Sequence, residues 1–406
     1  MSPPRTRVWI TGLGACSALG DGAEALADAL EQQRSGVRLL HRPTPMVGAP
    51  VLQAIDTGMT PAQRSLHDRH SLLALRAAAE AWGQAGLPAQ AREPLRAAVA
   101  WGTGLGGSNA IEQSYTELLT RDKPRVHPYT VLRVMSNSAA AHLALQHHLR
   151  ASMIAVSNAC ASSAQAIGDA LRLLRSGAAE LALVGGSEAM LNRGSLAAWQ
   201  AMGVMAPPDA EDPAQSCRPF DSQRRGLVLG EGAAALVLET EDHARRRGAT
   251  PLAELAGYGH SCDAMHLSRP DMEGQCRAMR QALADAELAP ASIGYVNAHG
   301  TATDVGDTVE ALSLAQVFGM RAVPVSATKA LHGHLIGAGG ALELVAAVQA
   351  LRRGRLPGSA HLRETELDPL ADIVRSSGRE APALQAVMSN SFAFGGSNVA
   401  LVARRV

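Results

Sequence analysis

Residues 153–175 read MIAVSNACASSAQAIGDALRLLR. Residues 153–156 form a short apolar run of β type, after which Ala164, Ile167, Leu171 and Leu174 recur at helical spacing until Gly177 supplies a stop. The stretch is therefore expected to be a strand, a tight loop and a helix, with Cys160 where the chain turns into the helix. The same grammar recurs outward from it. Residues 8–11 lead into glycine-rich GLGACSALG, read as a loop, and then an Ala/Leu-rich helix ending near Gln33; residues 97–101 precede GTGLGG; residues 181–184 end in Gly185 and Gly186; residues 234–239 follow. The charged HARRRG within residues 242–250 marks a junction, and the pattern restarts at residues 252–259. A helix near 274–286, a strand at 294–297, a helix at 307–318, a strand at 323–326, a helix through 341–351 and a strand at 384–388 complete it. Strands alternating with helices predict α/β layers in two similar halves, 1–245 and 246–406, with a duplication carried by structure rather than residue identity.

Composition bounds the function. Of the 406 residues 47% are hydrophobic but only 3% aromatic, so the interior must be built from Ala, Val, Leu and Ile, which suits close helix-on-sheet packing. The 37 basic and 37 acidic side chains cancel, removing the electrostatic case for a general nucleic-acid or membrane-surface binder. Five cysteines, an odd number without CxxC spacing, argue against a disulfide framework and a structural zinc site and fit a reducing cytoplasm. Residues 1–7 are short and basic, and the apolar stretch after them is broken by Gly12, Gly14 and Gly20, so neither a signal peptide nor a membrane anchor is expected.

Three strand-end loops carry candidate chemistry. At a helix N-terminus the macrodipole and unpaired N–H groups favour a thiolate, so Cys160 is expected to have a lowered pKa, and its own N–H can serve an oxyanion. A cysteine met without context is more often a small buried hydrophobe, but the small neighbours in SNACASS leave room for a substrate. His299 lies in YVNAHGTATDVGD and His334 in SATKALHGHLIGAGG. With fourteen histidines present, each alone reads as structural; their place at strand ends beside Cys160's loop is what singles them out. A thiolate forms a thioester, while two neutral imidazoles can donate N–H groups to the enolate oxygen of a second thioester losing carbon dioxide. Lys329, in the second histidine loop, can reach inward, with Glu343 on the next helix offsetting its charge. In SNSFAFGGSN, Gly395 and Gly396 permit movement and Phe394 can cover an apolar tunnel or offer its N–H to an oxyanion; core packing of Phe392 and Phe394 is the plainer account. GTGLGG is a weak glycine spacing, no GxxxxGK[ST] follows a strand, and no HExxH or acidic cluster marks a catalytic metal.

Taken together, ITGLGACSALG, SNACASS, LVGGSEAM, RPFDSQRRGLVLGEGAAALVLE, SCDAMH, NAHGTATDVGD, SATKALHGHLIGAGGALE and NSFAFGGSN resemble, in order and nearly end to end, the β-ketoacyl-[acyl-carrier-protein] synthases of dissociated bacterial fatty-acid and polyketide systems. The resemblance implies a thiolase-like five-layer αβαβα fold. It assigns the nucleophile to Cys160, the catalytic histidines to His299 and His334, the lysine and helix glutamate to Lys329 and Glu343, the gate to Phe394, and acidic positions to Asp307 and Glu310. It implies acyl transfer from a carrier protein to Cys160 and decarboxylative condensation with malonyl-carrier protein, the phosphopantetheine arm arriving with the substrate so that no protein-bound cofactor is needed. The implied partners are an acyl carrier protein and a second subunit, either another copy or a related synthase or chain-length-factor chain. Arg64, Arg69, Arg224 and Arg225 are candidates to meet an acidic carrier helix, with solvated arginines as the ordinary explanation. Ala393 stands where a glycine usually precedes the gating phenylalanine, Asp304 where proline or an apolar residue is common, and His332 where a hydroxyl residue is common; His332 is left out of the catalytic set. These departures leave room for a specialised polyketide or polyene pathway beside fatty-acid elongation. A thiolase would need a second active-site cysteine, an acyl-CoA starter synthase an asparagine in place of His334, and a non-catalytic chain-length factor would lack Cys160.

Overall fold

Strand β1 (Val8–Ser17) runs straight through GLGACS, where glycine content points to a loop after residue 11. The glycines serve close approach instead. Helix α1 (Arg69–Gln84) lies so near that a Cβ at Gly12 or Gly14 would sit 2.0 Å from the carbonyl oxygen of Ala81 or Ala77. The computed structural model describes residues 5–40 and 45–406; of the basic N-terminal stretch, residues 1–4 lie outside the described residues.

The first half adds β2 (Ala97–Gly102), β3 (Met153–Val156), β4 (Leu181–Glu188) and β5 (Gly232–Thr240). Their order across the sheet is β3-β2-β4-β5-β1, with β2 parallel to β3 and β4, and β5 antiparallel to β4 and β1. The second half has β6 (Ala253–Cys262), β7 (Tyr295–Asn297), β8 (Pro324–Ser326), β9 (Ala386–Ala393) and β10 (Ser397–Arg404) in the order β8-β7-β9-β10-β6, with the same pattern of directions. The duplication expected from the repeated grammar is therefore present as topology. The two sheets meet where Trp9 and Ile10 of β1 pair with Glu254 and Ala253 of β6.

Between the sheets lie α2 (Ser162–Arg175) and, later in the chain, a helix over Gly339–Arg353. Ile167 and Leu171 of α2 share one core with Leu342 and Val345 of that second helix, Leu236 of β5 and Leu401 of β10. The Gly339–Arg353 helix is buried on every face through Leu351, as a helix sandwiched between two sheets must be. Outside the first sheet, α1 packs Ala77 and Trp82 near Trp101. Outside the second, α3 (Met272–Ala286) and α4 (Asp304–Phe318) bring Met279 and Leu314 into a third core. Helix, sheet, helix, sheet, helix is the five-layer order. α4 starts at Asp304 rather than 307, its first turn carrying Asp304 and Asp307 at the positive end of the helix dipole. Among the described residues no helix is long and apolar enough to cross a membrane.

Candidate active site

The nucleophile turn is built by strain and small residues. Ala159 adopts φ +45°, a region a non-glycine residue rarely enters. The Ser162 hydroxyl holds the turn, accepting the Asn158 N–H at 2.8 Å and donating to the Ala159 carbonyl at 2.6 Å. Cys160 is thereby pointed inward, buried just before α2 begins. The expected lowering of its pKa is reversed: burial pushes the thiol up to about 12, outweighing the Lys329 charge and the N–H groups of Phe394 and Cys160 itself, which pull it down. A helix terminus is worth roughly 0.3–2 kcal/mol, less than the cost of taking a thiolate out of water.

His299 follows β7 on a loop pinned by two buried carboxylates. Glu310 accepts the N–H groups of His299 and Gly300, both at 2.8 Å, while Asp307 accepts those of Phe220, Thr301 and Ala302 at 2.7, 2.9 and 3.2 Å. Asp307 and Glu310 thus shape the loop from behind. Burial raises both acids, Asp307 to about 7.

Lys329 opens the short helix α5 (Lys329–His332), and the longer helix Gly339–Arg353 is α6. Lys329 is fully buried; its Nζ donates to the His299 carbonyl, forms an ion pair with Glu343 and lies 3.4 Å from His299 Nδ1. His334 comes next, its backbone N–H on the Val228 carbonyl at 2.6 Å, its Nδ1 accepting the Ile336 N–H at 3.3 Å and its Nε2 3.0 Å from Cys160 Sγ. With Nδ1 an acceptor in both rings, the proton of each neutral imidazole sits on Nε2. Burial first, then the Lys329 charge, holds both histidines well below their ordinary pKa. Donor atoms of Cys160, His299 and His334 all lie within 4.8 Å of one another, and the two rings meet edge-on with centroids 5.3 Å apart. Such a trio can ligate a metal only through Nε2 lone pairs; protonated at Nε2 it is made to donate to an oxyanion.

These groups form the floor of a cavity of about 420 Å³ whose walls include Trp199, Leu267, Val305, Phe392 and Phe394. Phe394 follows β9 and stacks on Trp199 with centroids 6.1 Å apart. Gly395 and Gly396 turn the chain back into β10 at φ +85° and +79°. The Phe394 N–H acts on the Cys160 sulfur. Sequence reasoning missed several contributors. Phe392 packs edge-on to His299 at 6.2 Å; Ile336, at φ +44°, gives the N–H that fixes the His334 tautomer; buried Glu188 accepts N–H groups from Gly104 and Gly337 at 2.6 and 3.2 Å. A β-branched residue in the left-handed region contradicts its local preference, so no sequence signal marks Ile336. His332 faces away, its ring on the Gly333 carbonyl at 2.6 Å and Thr328 at 2.9 Å. Of the arginines marked for a carrier surface, three are engaged: Arg64 with the Ile55 carbonyl, Arg69 with Glu231, and buried Arg224 with Asp304 and Glu366. Arg225 is exposed and lines the cavity, as Arg269 does.

The family model of the β-ketoacyl synthase N-terminal domain matches residues 5–244, and that of the C-terminal domain matches residues 252–363. The chain belongs to the β-ketoacyl synthase family. The synthase is 40% identical to Nodulation protein E of Rhizobium sp. (strain N33), over 98% of this chain and 99% of that one. It is 36% identical to 3-oxoacyl-[acyl-carrier-protein] synthase 2 of Coxiella burnetii (strain RSA 493 / Nine Mile phase I), over 99% of each. Among solved structures, the ishigamide ketosynthase/chain length factor superposes with a TM-score of 0.91 at 32% identity, over 99% of this synthase and 100% of that chain. A thiolase's second cysteine has no counterpart among the cavity's lining residues, where Cys160 is the cysteine.

Proposed function

We propose that the chain is a β-ketoacyl-acyl-carrier-protein synthase that condenses an acyl group held on Cys160 with malonyl-carrier protein. The convergence of the Cys160, His299 and His334 donor atoms within 4.8 Å at the floor of one cavity carries the reading. In the first half-reaction the sulfur attacks the acyl thioester, the carrier thiol leaves with a proton, and the N–H groups of Cys160 and Phe394 take the oxyanion. In the second, the malonyl thioester oxygen sits between the Nε2–H groups of His299 and His334. The carboxylate leaves as carbon dioxide, its bonding electrons forming the enolate. The enolate carbon attacks the Cys160 thioester, the carbon–sulfur bond breaks, and the thiolate takes up a proton. The product is a β-ketoacyl-carrier protein two carbons longer.

Lys329 biases both steps the same way, because one positive charge stabilises a thiolate and disfavours an imidazolium. Glu343 offsets that charge, and Asp307 and Glu310 act as positioning residues for the His299 loop. Gly395 and Gly396 let Phe394 open and close over the acyl chain. No resident cofactor enters the scheme, since phosphopantetheine arrives with the substrate. The carrier protein meets the cavity mouth beside Arg225, and the second subunit is a copy of this chain or a related synthase or chain-length-factor chain, as in the ishigamide pair. A division into 1–245 and 246–406 is supported by the separate family matches over residues 5–244 and 252–363, and a cytoplasmic setting by the reduced cysteines the chemistry requires.

Intact-mass analysis after incubation with acyl-carrier protein tests the reading. One thioester adduct at Cys160 is expected, absent in Cys160→Ala. His299→Ala and His334→Ala should each slow condensation about 10²–10³-fold while leaving acylation less affected. An undiminished adduct in Cys160→Ala would remove the nucleophile assignment, and equal loss of both half-reactions would remove the enolate role.

A further inference from the structure

The two N–H groups proposed for the thioester oxyanion come from separate segments, Cys160 on the turn after β3 and Phe394 on the turn between β9 and β10. Their relative placement depends on what joins those turns. Asn158, two residues before Cys160, donates from Nδ2 to Ser397 Oγ at 2.7 Å, and Ser397 is the residue directly after Gly396. Apart from the Phe394 N–H acting on the sulfur itself, this is the one hydrogen bond among the described residues that crosses between residues 157–161 and 392–398. The other ties of the gating turn run elsewhere: Gly395 donates to the Leu267 carbonyl at 2.7 Å, and Asn398 to Asp263 at 2.6 Å.

The link is supported at both ends. Asn158 Nδ2 also donates to Gln165 Oε1 at 2.7 Å, on the first turns of α2. Ser397 Oγ lies 3.1 Å from His260 Nε2, on the neighbouring strand β6. Ser397 Oγ accepts from Asn158 and shares its second hydrogen bond with the imidazole, so the link runs from Asn158 through Ser397 to His260. Burial lowers the His260 pKa, in keeping with a neutral ring. Ser397 is buried, and a buried hydroxyl held between two partners is fixed in position.

We propose that Asn158, Ser397 and His260 form a clasp that fixes the gating turn to the nucleophile turn and so sets the spacing of the two oxyanion donors. The proposal rests on the reading of Cys160 as nucleophile. These are positioning residues, acting through the Cys160 and Phe394 N–H groups, and they govern acyl transfer rather than decarboxylation at His299 and His334. The loop carrying Phe394 therefore moves about a C-terminal pivot that stays closed at Ser397.

Single-turnover acylation of Cys160, followed by intact mass, and malonyl-carrier protein decarboxylation are measured side by side in the full-length synthase. Ser397→Ala and Asn158→Ala are each expected to slow acylation by about tenfold or more, with decarboxylation and the carrier-protein Kd changed by less than about twofold. The double variant is expected to be no slower than either single one, as for two members of one link. Ser397→Thr, which keeps the hydroxyl, is expected to retain acylation, and it serves as the folding control together with thermal melting. Multiplying effects in the double variant, parallel loss of both half-reactions, or a Thr variant as slow as the Ala variant would overturn the clasp. A wild-type chain that forms no Cys160 adduct would overturn the nucleophile reading and this proposal with it.

Discussion

At Cys160 the chemistry starts from a neutral thiol rather than a standing thiolate. Burial disfavours every charge in the pocket, so it raises the cysteine to about 12 and drives His299 and His334 well below their ordinary values. A buried thiol that becomes a thioester loses nothing by desolvation, since the product is uncharged, whereas a thiolate would pay at every turnover. The sign of the pH dependence follows: below about 12 the thiol form dominates, so the thiolate fraction grows tenfold per pH unit as pH rises. Alkylation of Cys160 by iodoacetamide, read by peptide mass to separate it from exposed Cys262, is therefore expected to accelerate steadily from pH 7 to about pH 10. A plateau below about pH 8 would mean that the helix terminus and Lys329 overcome desolvation after all. The Lys329–Glu343 pair belongs to the same balance. Both side chains are 1% exposed, so Glu343→Ala leaves an uncompensated buried cation and should cost about 3–5 kcal/mol in denaturant unfolding; a loss under about 1 kcal/mol would show the charge to be neutralised elsewhere.

Each catalytic group sits on a connection between regular elements, and those connections are where the backbone departs from comfort. Ala159, Ala302 and Ile336 all take positive φ beside Cys160, His299 and His334 respectively, the pattern of strain held in place by a surrounding scaffold. That scaffold is the strand ends of β3, β7 and β8 together with Glu310, Asp307 and Glu188. The order of strands, loops and helices was legible because apolar runs and helical spacing report it directly, and so were the loops that bear Cys160, His299, His334 and Lys329. Two things were not. Glycine in GLGACS means turn or close packing equally well from sequence, and only α1 lying on Gly12 and Gly14 decides between them. Of the donors that set the histidine tautomers, Lys329 was singled out from its loop, whereas the backbone N–H of Ile336 has no local signature. The gating turn gives a prediction at this scale. A Cβ at Gly395 would meet nothing within 4 Å, whereas one at Gly396 would lie 2.8 Å from the Asp263 Cβ, both residues having left-handed φ. Gly395→Ala should then cost only the conformational penalty of about 1–2 kcal/mol, and Gly396→Ala distinctly more. Equal shifts in Tm would mean that the Asp263 segment yields freely.

For the whole molecule, the shared 3-2-4-5-1 strand order of the two halves explains why the site lies where it does: strand ends from both sheets face one cavity, the first sheet supplying the nucleophile and the second the two histidines. The same architecture leaves one edge unfinished. β3 pairs with β2 on one side only, and Met153 at its start is 46% exposed. The helix Ser138–His147 packs on β2 and β3, and next to it the helices Thr130–Val134 and Ser108–Thr120 carry exposed Val131, Leu132, Leu119 and Tyr115. An open strand flanked by apolar helices is an aggregation hazard unless another chain covers it. A second copy can do so about a two-fold axis, β3 running antiparallel to its own equivalent so that the same patch serves both partners. Light scattering on the chain expressed alone is expected to give twice 42.2 kDa. The double substitution Val131→Glu and Leu132→Glu places charge at two exposed positions of the patch, and it should shift the protein to monomer while leaving the far-ultraviolet circular dichroism unchanged. A wild-type monomer at micromolar concentration, or a double variant that stays dimeric, would place the subunit contact somewhere other than this edge.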